Sequence, residues 1–477
     1  MDAKEAQRLW LAAGLPPDAL SRLYLSGPPR FASAFRLSSA ASISIGLASL
    51  AAAEIHHLRT GASRSSVTVD AQDACAEFLS HAVYKPDVTR PAPGVWDPLS
   101  GLYATNDGYV RLHANFPHHR DGLLGLLGLP LNAGRKNVEM ALAAWQAEPF
   151  EALASERGLC AAAYRTSDAW QAHPMASHLD ATYAANGHVP WRVQQHKAAA
   201  TRTTHRPVWS HSGTTNCLSG VRVLCLTRVL AGPIAGRTLA SHGADVLWVT
   251  SPQLPSLPSI DGDTSRGKRT IQLDLTTAKD ASVLQDLVAS ADVFLDAYRP
   301  GALAAKGFGA DDLFALNAHL VLGRCSAYGA DGPWGGKRGF DSLLQTATGI
   351  NADEAAAFGE SAPRALPTQG LDHATGHLLA FGVLSALHAQ LHGAGGSVVD
   401  VSLAWTAAWL RSLGAGDTTA AGLTPDEMAA ATERVHLPTG ITAQFAKRAP
   451  QMTPAPSFGQ KYPTSLAHDE PVWLVRG

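Results

Sequence analysis

Three short stretches carry residue types suited to holding phosphate. Ala231-Gly232-Pro233-Ile234-Ala235-Gly236 falls between a strand-like and a helical run; its glycines allow close backbone approach, and the N–H groups of a first helical turn favour an anion. It is not the G-x-G-x-x-G dinucleotide fingerprint, and a purely structural tight turn has the same composition. Arg266-Gly267-Lys268-Arg269 supplies a point charge and forked donors just before TIQLDL, with a solvated basic loop as the alternative. Tyr298-Arg299-Pro300-Gly301 follows a third strand-like run. Ligands of open α/β sheets lie outside the carboxyl ends of the strands, where all three stretches fall. Other chemistries lack their residues. His56-His57 and His118-His119 are adjacent and diverge on any regular element, and there is no H-E-x-x-H, no C-x-x-C and no G-x-S-x-G, so neither a metal site nor a serine nucleophile is expected.

These stretches need a sheet to position them. From Gly220 the pattern alternates: VRVLCLTRVL is strand-like, the run from Ala231 to Ala244 helical, DVLWVT a strand, SVLQDLVASA helical, DVFLDAY a strand, DDLFALNAHL helical and LVLGRCSAY a strand. That alternation predicts an α/β fold, a Rossmann-like doubly wound parallel sheet half, accompanied by a smaller α+β domain. A long apolar helix, HATGHLLAFGVLSALHAQL, and the strand SVVDVSL follow. Before Gly220 the signals are helical at 40–56 and 137–155, Pro-rich at 85–98, and hairpin-like around Asn106-Asp107-Gly108. The expected organisation is a partial first copy over 1–190, a linker over 191–216, a Rossmann-like domain with the reactive centre over 217–410, and a wrapping tail over 411–477. The first copy rests on an echo. Residues 46–74 and 382–407 share one grammar, an Ala/Leu helix leading through small residues to a strand ending V-D or V-D-V.

Composition narrows the partners. Across 477 residues, 38 Lys+Arg stand against 40 Asp+Glu, a formal charge of -2 that lacks the basic excess of a nucleic-acid binder. An anionic ligand must therefore be met by local cations. Five cysteines without paired spacing suit a reducing, cytoplasmic setting. The opening MDAKEAQRLWLAAG lacks the apolar core of a secretory signal, and the longest uncharged stretch, 37–53, holds five serines and falls short of a span, so no membrane association is expected.

Taken in order, VRVLCLTRVLAGPIAGRTLASHGADVLWV, RGKRTIQLDL, ADVFLDAYRPGALAAKGFGADDLFALNAHLV, AYGADGPWGGKRGFD and LDHATGHLLAFGVLSAL followed by VDVSL resemble the amino-terminal half of class III CoA-transferases, the formyl-CoA and carnitine CoA-transferase group. Blocks at SVTVDAQDA, DPLSGLYATNDGYVRLHA, RGLCAAAYRTSDAWQAHP and VPWRV resemble that family's small domain, displaced to the front as if fused or permuted. The resemblance implies CoA and acyl-CoA as substrates with no tightly bound cofactor, a carboxylic acid as the acceptor, and a homodimer. It assigns the nucleophile to Asp372, in Gly370-Leu371-Asp372-His373, and contacts with CoA to Arg228, Val229, Leu230, Ala231, Lys268, Arg269, Tyr298, Arg299 and Tyr328. Backbone N–H groups near Gly370 and at the start of the following helix would hold the oxyanion. An N-cap is the alternative role for Asp372. The matching stretch of the first copy has no Asp between Asp18 and Asp70, so one such Asp per chain follows. Two departures stand out. The glutamate usual after the second strand is absent from Leu247-Trp248-Val249-Thr250, and the region 83–103, where a Gly-rich lid is expected, is Pro-rich. Racemases of the same fold pair an Asp with a His in G-H-D, whereas this chain reads Gly339-Phe340-Asp341; His373 and His377 are the remaining proton carriers. A CoA-binding scaffold without chemistry and a nicotinamide-dependent oxidoreductase are the competing functions.

Overall fold

The computed structural model describes residues 2–88, 94–196, 209, 215–459, 461–462 and 465–476. In the first third, small and apolar residues on every face make a helix that is buried all round from Ala40 to Ile55. This is α1 (Leu37–Thr60), ended by Gly61 in the left-handed region (φ 67°) with its N–H on the His57 carbonyl. By length and composition α1 is sufficient to cross a membrane, contrary to the expectation above, but its apolar window is wholly packed inside the protein. The chain then forms the strand Val67–Asp70 and the helix α2 (Ala71–Phe78), N-capped by Asp70, whose carboxylate accepts from the Gln72 N–H at 2.9 Å. Val67–Asp70 pairs in parallel with Leu23–Ser26.

The hairpin forms as expected, with Gly101–Ala104 antiparallel to Tyr109–Leu112 and Ala161–Ala163 as a third strand. The single helix expected over 137–155 is instead two, Arg135–Leu142 and Ala147–Glu156. The break is where the hairpin turn docks. The Asn106 N–H donates to the Trp145 carbonyl at 3.0 Å, and the Asp107 carboxylate accepts from the Ala147 N–H at 2.9 Å, starting the second helix.

Seven strands build the central sheet: β1 (Trp191–Gln195), β2 (Arg222–Leu226), β3 (Asp245–Thr250), β4 (Lys268–Gln272), β5 (Val293–Asp296), β6 (Val321–Ser326) and β7 (Ser397–Ser402). They lie in the order β4-β3-β2-β5-β6-β7-β1, all parallel except β1, which runs antiparallel along β7. The helices α3 (Ala231–Ser241), between β2 and β3, and α4 (Gly370–Leu391), before β7, pack on each other. With β2 counted first, the six parallel strands follow the doubly wound order 3-2-1-4-5-6, whose direction reverses between β2 and β5. Near-continuous burial of β2, β3 and β5 explains their unbroken Val/Leu runs. The segment from 191 read as linker begins with β1, whose Trp191 is buried against Phe381 of α4; 197–208 and 210–214 lie outside the described residues. The tail runs beside β4, with the Gly267 N–H on the Lys461 carbonyl (2.8 Å) and the Thr270 N–H on the Asp469 carboxylate (2.8 Å).

The echo is structural. α4, β7 and α5 (Leu403–Ser412) repeat the helix, strand, helix succession of α1, Val67–Asp70 and α2, and Ser402 N-caps α5 as Asp70 caps α2. The crossing of α3 and α4 depends on Gly376, because a Cβ there would stand 2.6 Å from the Ala231 carbonyl oxygen and 2.7 Å from Ile234. Gly376→Val is expected to lower the unfolding free energy by about 1–3 kcal/mol, the usual overpacking range, and thermal unfolding monitored by circular dichroism measures it.

Candidate active site

The direction reversal between β2 and β5 opens a crevice of about 470 Å³ at the carboxyl ends of the strands. Of the residues expected to contact CoA, it brings together Arg228, Val229, Leu230 and Ala231 after β2 with Tyr298 and Arg299 after β5, and adds Asp372 from the first turn of α4. Val229 has φ 70°, a rare conformation for a β-branched side chain, so the turn after β2 is strained at the crevice. Arg228 lies over the Phe116 ring at 4.5 Å and donates to the Pro255 carbonyl. The Tyr298 N–H is fixed by the Asp296 carboxylate at 2.9 Å, and burial pushes the Tyr298 hydroxyl up to about 12.

Three expected contacts lie elsewhere. Lys268 is 1% exposed; its Nζ donates to the Pro233 carbonyl at 2.8 Å beneath α3, and burial lowers its pKa to about 8. Arg269 is clamped on both oxygens of Asp245 at 3.0 and 2.9 Å. A strand alternates its faces, so a basic run across the start of β4 cannot aim every cation at one ligand. Tyr328, 2% exposed, lines an adjoining cavity rather than the crevice. The glycines of the 231–236 turn are also accounted for by packing. A Cβ at Gly232 would meet Ala297 at 2.5 Å, and one at Gly236 would meet the Cys225 sulfur at 2.7 Å.

The crevice has its own cations. Lys306 joins Arg299, and neither has an ion-pair partner among the described residues. Both belong to YRPGALAAKG, so the signal was present in the sequence, but the turn that brings them together was not readable. Lys337 and Arg338 also line the crevice, already engaged: Lys337 Nζ meets Glu151 at 2.9 Å and lies 3.5 Å over the Trp334 ring, while Arg338 donates to the His119 ring at 3.0 Å and to the Gly158 carbonyl at 2.5 Å. Phe116, His118 and His119 from the first third complete the wall. Desolvation first, then neighbouring charges including Arg338, lowers the His119 pKa to about 3 and keeps the ring neutral.

Asp372 is 7% exposed, and no hydrogen bond reaches its carboxyl group from the described residues. Two N–H groups at the start of α4, those of Leu371 and Asp372, are not free for an oxyanion as expected. Asp341 takes them, accepting from the Asp372 N–H at 2.9 Å and from Leu371. Asp372 is therefore not the cap; Asp341, from a different helix, fills that role. Burial raises the pKa of both carboxyls, and for Asp372 the charge of Asp341 raises it further. Phe340 stacks on the buried His113 ring at 3.8 Å. His373 and His377 face away from the crevice into a buried aromatic cluster around Phe78, His373 contacting His81 at 3.0 Å, so neither of these two stands in for the missing G-H-D partner.

A family model described as CoA-transferase family III matches residues 218–441. The chain is 36% identical over 197 residues to the probable fatty acyl-CoA transferase Rv3272 of Mycobacterium tuberculosis, covering 39% of this chain and 49% of that protein. It is 35% identical over 205 residues to the acetyl-coenzyme A transferase nodX of Hypoxylon pulicicidum, covering 42% and 35%. A crystal structure of Rv3272 aligns over 42% of this chain and 57% of that one with 35% identity and a TM-score of 0.39. The chain thus spans about half or less of the length of these curated relatives. The six parallel strands of the sheet, the crevice walls after β2 and β5, and Asp372 all lie within residues 218–441, the stretch that matches CoA-transferase family III.

Proposed function

We propose that the protein moves CoA from an acyl-CoA donor to a carboxylic acid, with Asp372 as the covalent intermediary. The observation that carries this reading is a buried carboxyl group, Asp372, set in the wall of a switch-point crevice that also holds two cations, Arg299 and Lys306, without ion-pair partners among the described residues. Those cations would face the CoA phosphates, and the turn after β2 would face the pantetheine. The ionised Asp372 attacks the thioester carbon; the C–S bond breaks, giving an acyl-aspartyl anhydride and CoA thiolate. The thiolate attacks the aspartyl carbonyl of the anhydride, releasing the donor acid as a carboxylate and leaving an aspartyl-CoA thioester. The acceptor carboxylate attacks that thioester, expelling the thiolate, which then takes the acceptor acyl group from the new anhydride and restores Asp372. A dry site suits this path because water would hydrolyse each intermediate.

Incubation with acyl-CoA followed by hydroxylamine or borohydride trapping is expected to mark Asp372, read by peptide mass spectrometry. CoA binding with an unmodified Asp372 would identify a CoA-binding protein without transfer.

A further inference from the structure

The turn of α4 that carries Asp372 is held from two sides. On one, Asp341 accepts from the N–H groups of Leu371 and Asp372. On the other stand Phe78, the last residue of α2, and His81 of the short helix Ser80–Val83, both from the first third of the chain. The Thr368 hydroxyl, two residues before α4, donates to the Phe78 carbonyl at 2.7 Å. The ring of His373, next in sequence to Asp372, stacks on Phe78 at 5.1 Å, and its Nε2 meets Nδ1 of His81 at 3.0 Å. Burial lowers the His81 pKa to about 4 and that of His373 well below its usual value, so both rings are neutral near pH 7. One of the two facing nitrogens then carries the proton and the other accepts it. The segment that supplies these contacts is itself anchored. Ser80 accepts from Arg237 of α3 at 3.0 Å, and Arg237 is ion-paired with Asp263. Packing adds a further tie to the first third, because a Cβ at Gly370 would stand 2.5 Å from the Leu37 side chain at the start of α1. Residues on both sides of Asp372 are therefore fastened to a distant part of the chain, while its own carboxyl group receives no hydrogen bond from the described residues.

We propose that the segment from Phe78 to His81 is a clamp on the turn bearing Asp372, and that His81 is its positioning residue, aiming Asp372 into the crevice through His373. The proposal rests on the transfer reading, with Asp372 as the reacting group, and gives the first third a part in the reaction. Consecutive side chains on a helix diverge by about 100°, so anchoring His373 in the first third fixes the direction of Asp372. Direction matters because a misplacement of about 1 Å at the reacting atoms costs on the order of 10²-fold in rate.

Steady-state transfer by the full chain carrying His81→Phe, which keeps a stacked ring and removes the hydrogen bond, tests it. The kcat should fall about tenfold, the scale of one buried hydrogen bond broken. The KM for the acyl-CoA donor should stay unchanged, because His81 is not among the residues lining the crevice. His81→Asn sets an amide near the place of Nδ1 and should restore most of the kcat. A side chain that only fills space would respond in the opposite order, with the Phe variant matching the parent and the Asn variant failing, and that order overturns the proposal. Thr368→Val, nearly isosteric, cuts the other tie and should also lower kcat at constant KM; an unaltered kcat there overturns the clamp even where His81→Phe does not fold. Amide hydrogen exchange read by mass spectrometry reports on the clamp without any transfer. Exchange over 368–375 should quicken about tenfold in His81→Phe, and exchange over 380–391 of the same helix should not. A parent that transfers no CoA yet shows this contrast keeps the clamp and loses the transfer reading. A parent that transfers CoA and is matched by His81→Phe in kcat and exchange keeps transfer and loses the clamp.

Discussion

Asp372→Asn is expected to lower CoA transfer on the order of 10⁴-fold or more, the scale on which removal of a covalent nucleophile acts. The amide is nearly isosteric, so the crevice keeps its shape and CoA binding should persist. Stability should not suffer. Asp372 is a buried carboxyl group beside the Asp341 carboxylate, and both its causes of perturbation, burial and like charge, disfavour the ionised form. Removing that charge relieves the folded state, and the melting temperature of the variant should equal or exceed that of the parent. Steady-state assays with several acyl-CoA donors, run beside differential scanning fluorimetry, measure both effects. Undiminished transfer by Asp372→Asn would sink the mechanism.

Asp341→Asn acts on the same pair from the other side and should move the pH dependence in a stated direction. The Asp341 charge raises the pKa of Asp372, so its removal lowers it. Attack requires the carboxylate, so the acid limb of the rate profile should shift to lower pH. The amide oxygen can still accept from the Leu371 and Asp372 N–H groups, which preserves most of the cap. Stability gives an independent check through linkage. Both carboxyls have folded pKa values above their unfolded ones, so the folded state binds more protons across that interval, and stability is lost as pH rises from the ordinary carboxylate range through the raised one. Chemical denaturation at a series of pH values should show that decline in the parent and a shallower one in Asp341→Asn. An unchanged rate profile would mean that the two groups do not share their titration.

The parts legible in the sequence were those with a local period. Unbroken Val/Leu runs alternating with helical segments announced a parallel sheet because strands buried on both faces need apolar residues at every position. Asn106-Asp107-Gly108 announced its hairpin by turn chemistry alone. Where sequence reading went astray, a distant partner intervened. The helix expected over 137–155 broke because the Asp107 turn docks into it, and Trp191–Gln195, polar at its end and read as linker, became an edge strand because β7 offered an open edge. Site residues divide the same way. Arg228 to Ala231, Tyr298, Arg299 and Asp372, assigned by resemblance, come together in one crevice because each follows a strand or opens a helix at one end of the sheet. Lys268 and Arg269 were misplaced because composition counts charge without direction: one is buried under Pro233 and the other bound to Asp245.

By itself, the sequence determined the succession of strands and helices, the near-neutral charge that leaves an anion to local cations, and the presence of a lone Asp at the head of an apolar helix. Only the tertiary structure decided which cations lack ion-pair partners among the described residues, that Asp341 rather than Asp372 caps α4, and that the turn bearing Asp372 is tied to Phe78 and His81 of the first third. The physical reason is range. Periodicity and turn chemistry act over a few residues, whereas pairing and desolvation depend on groups brought together from distant parts of the chain.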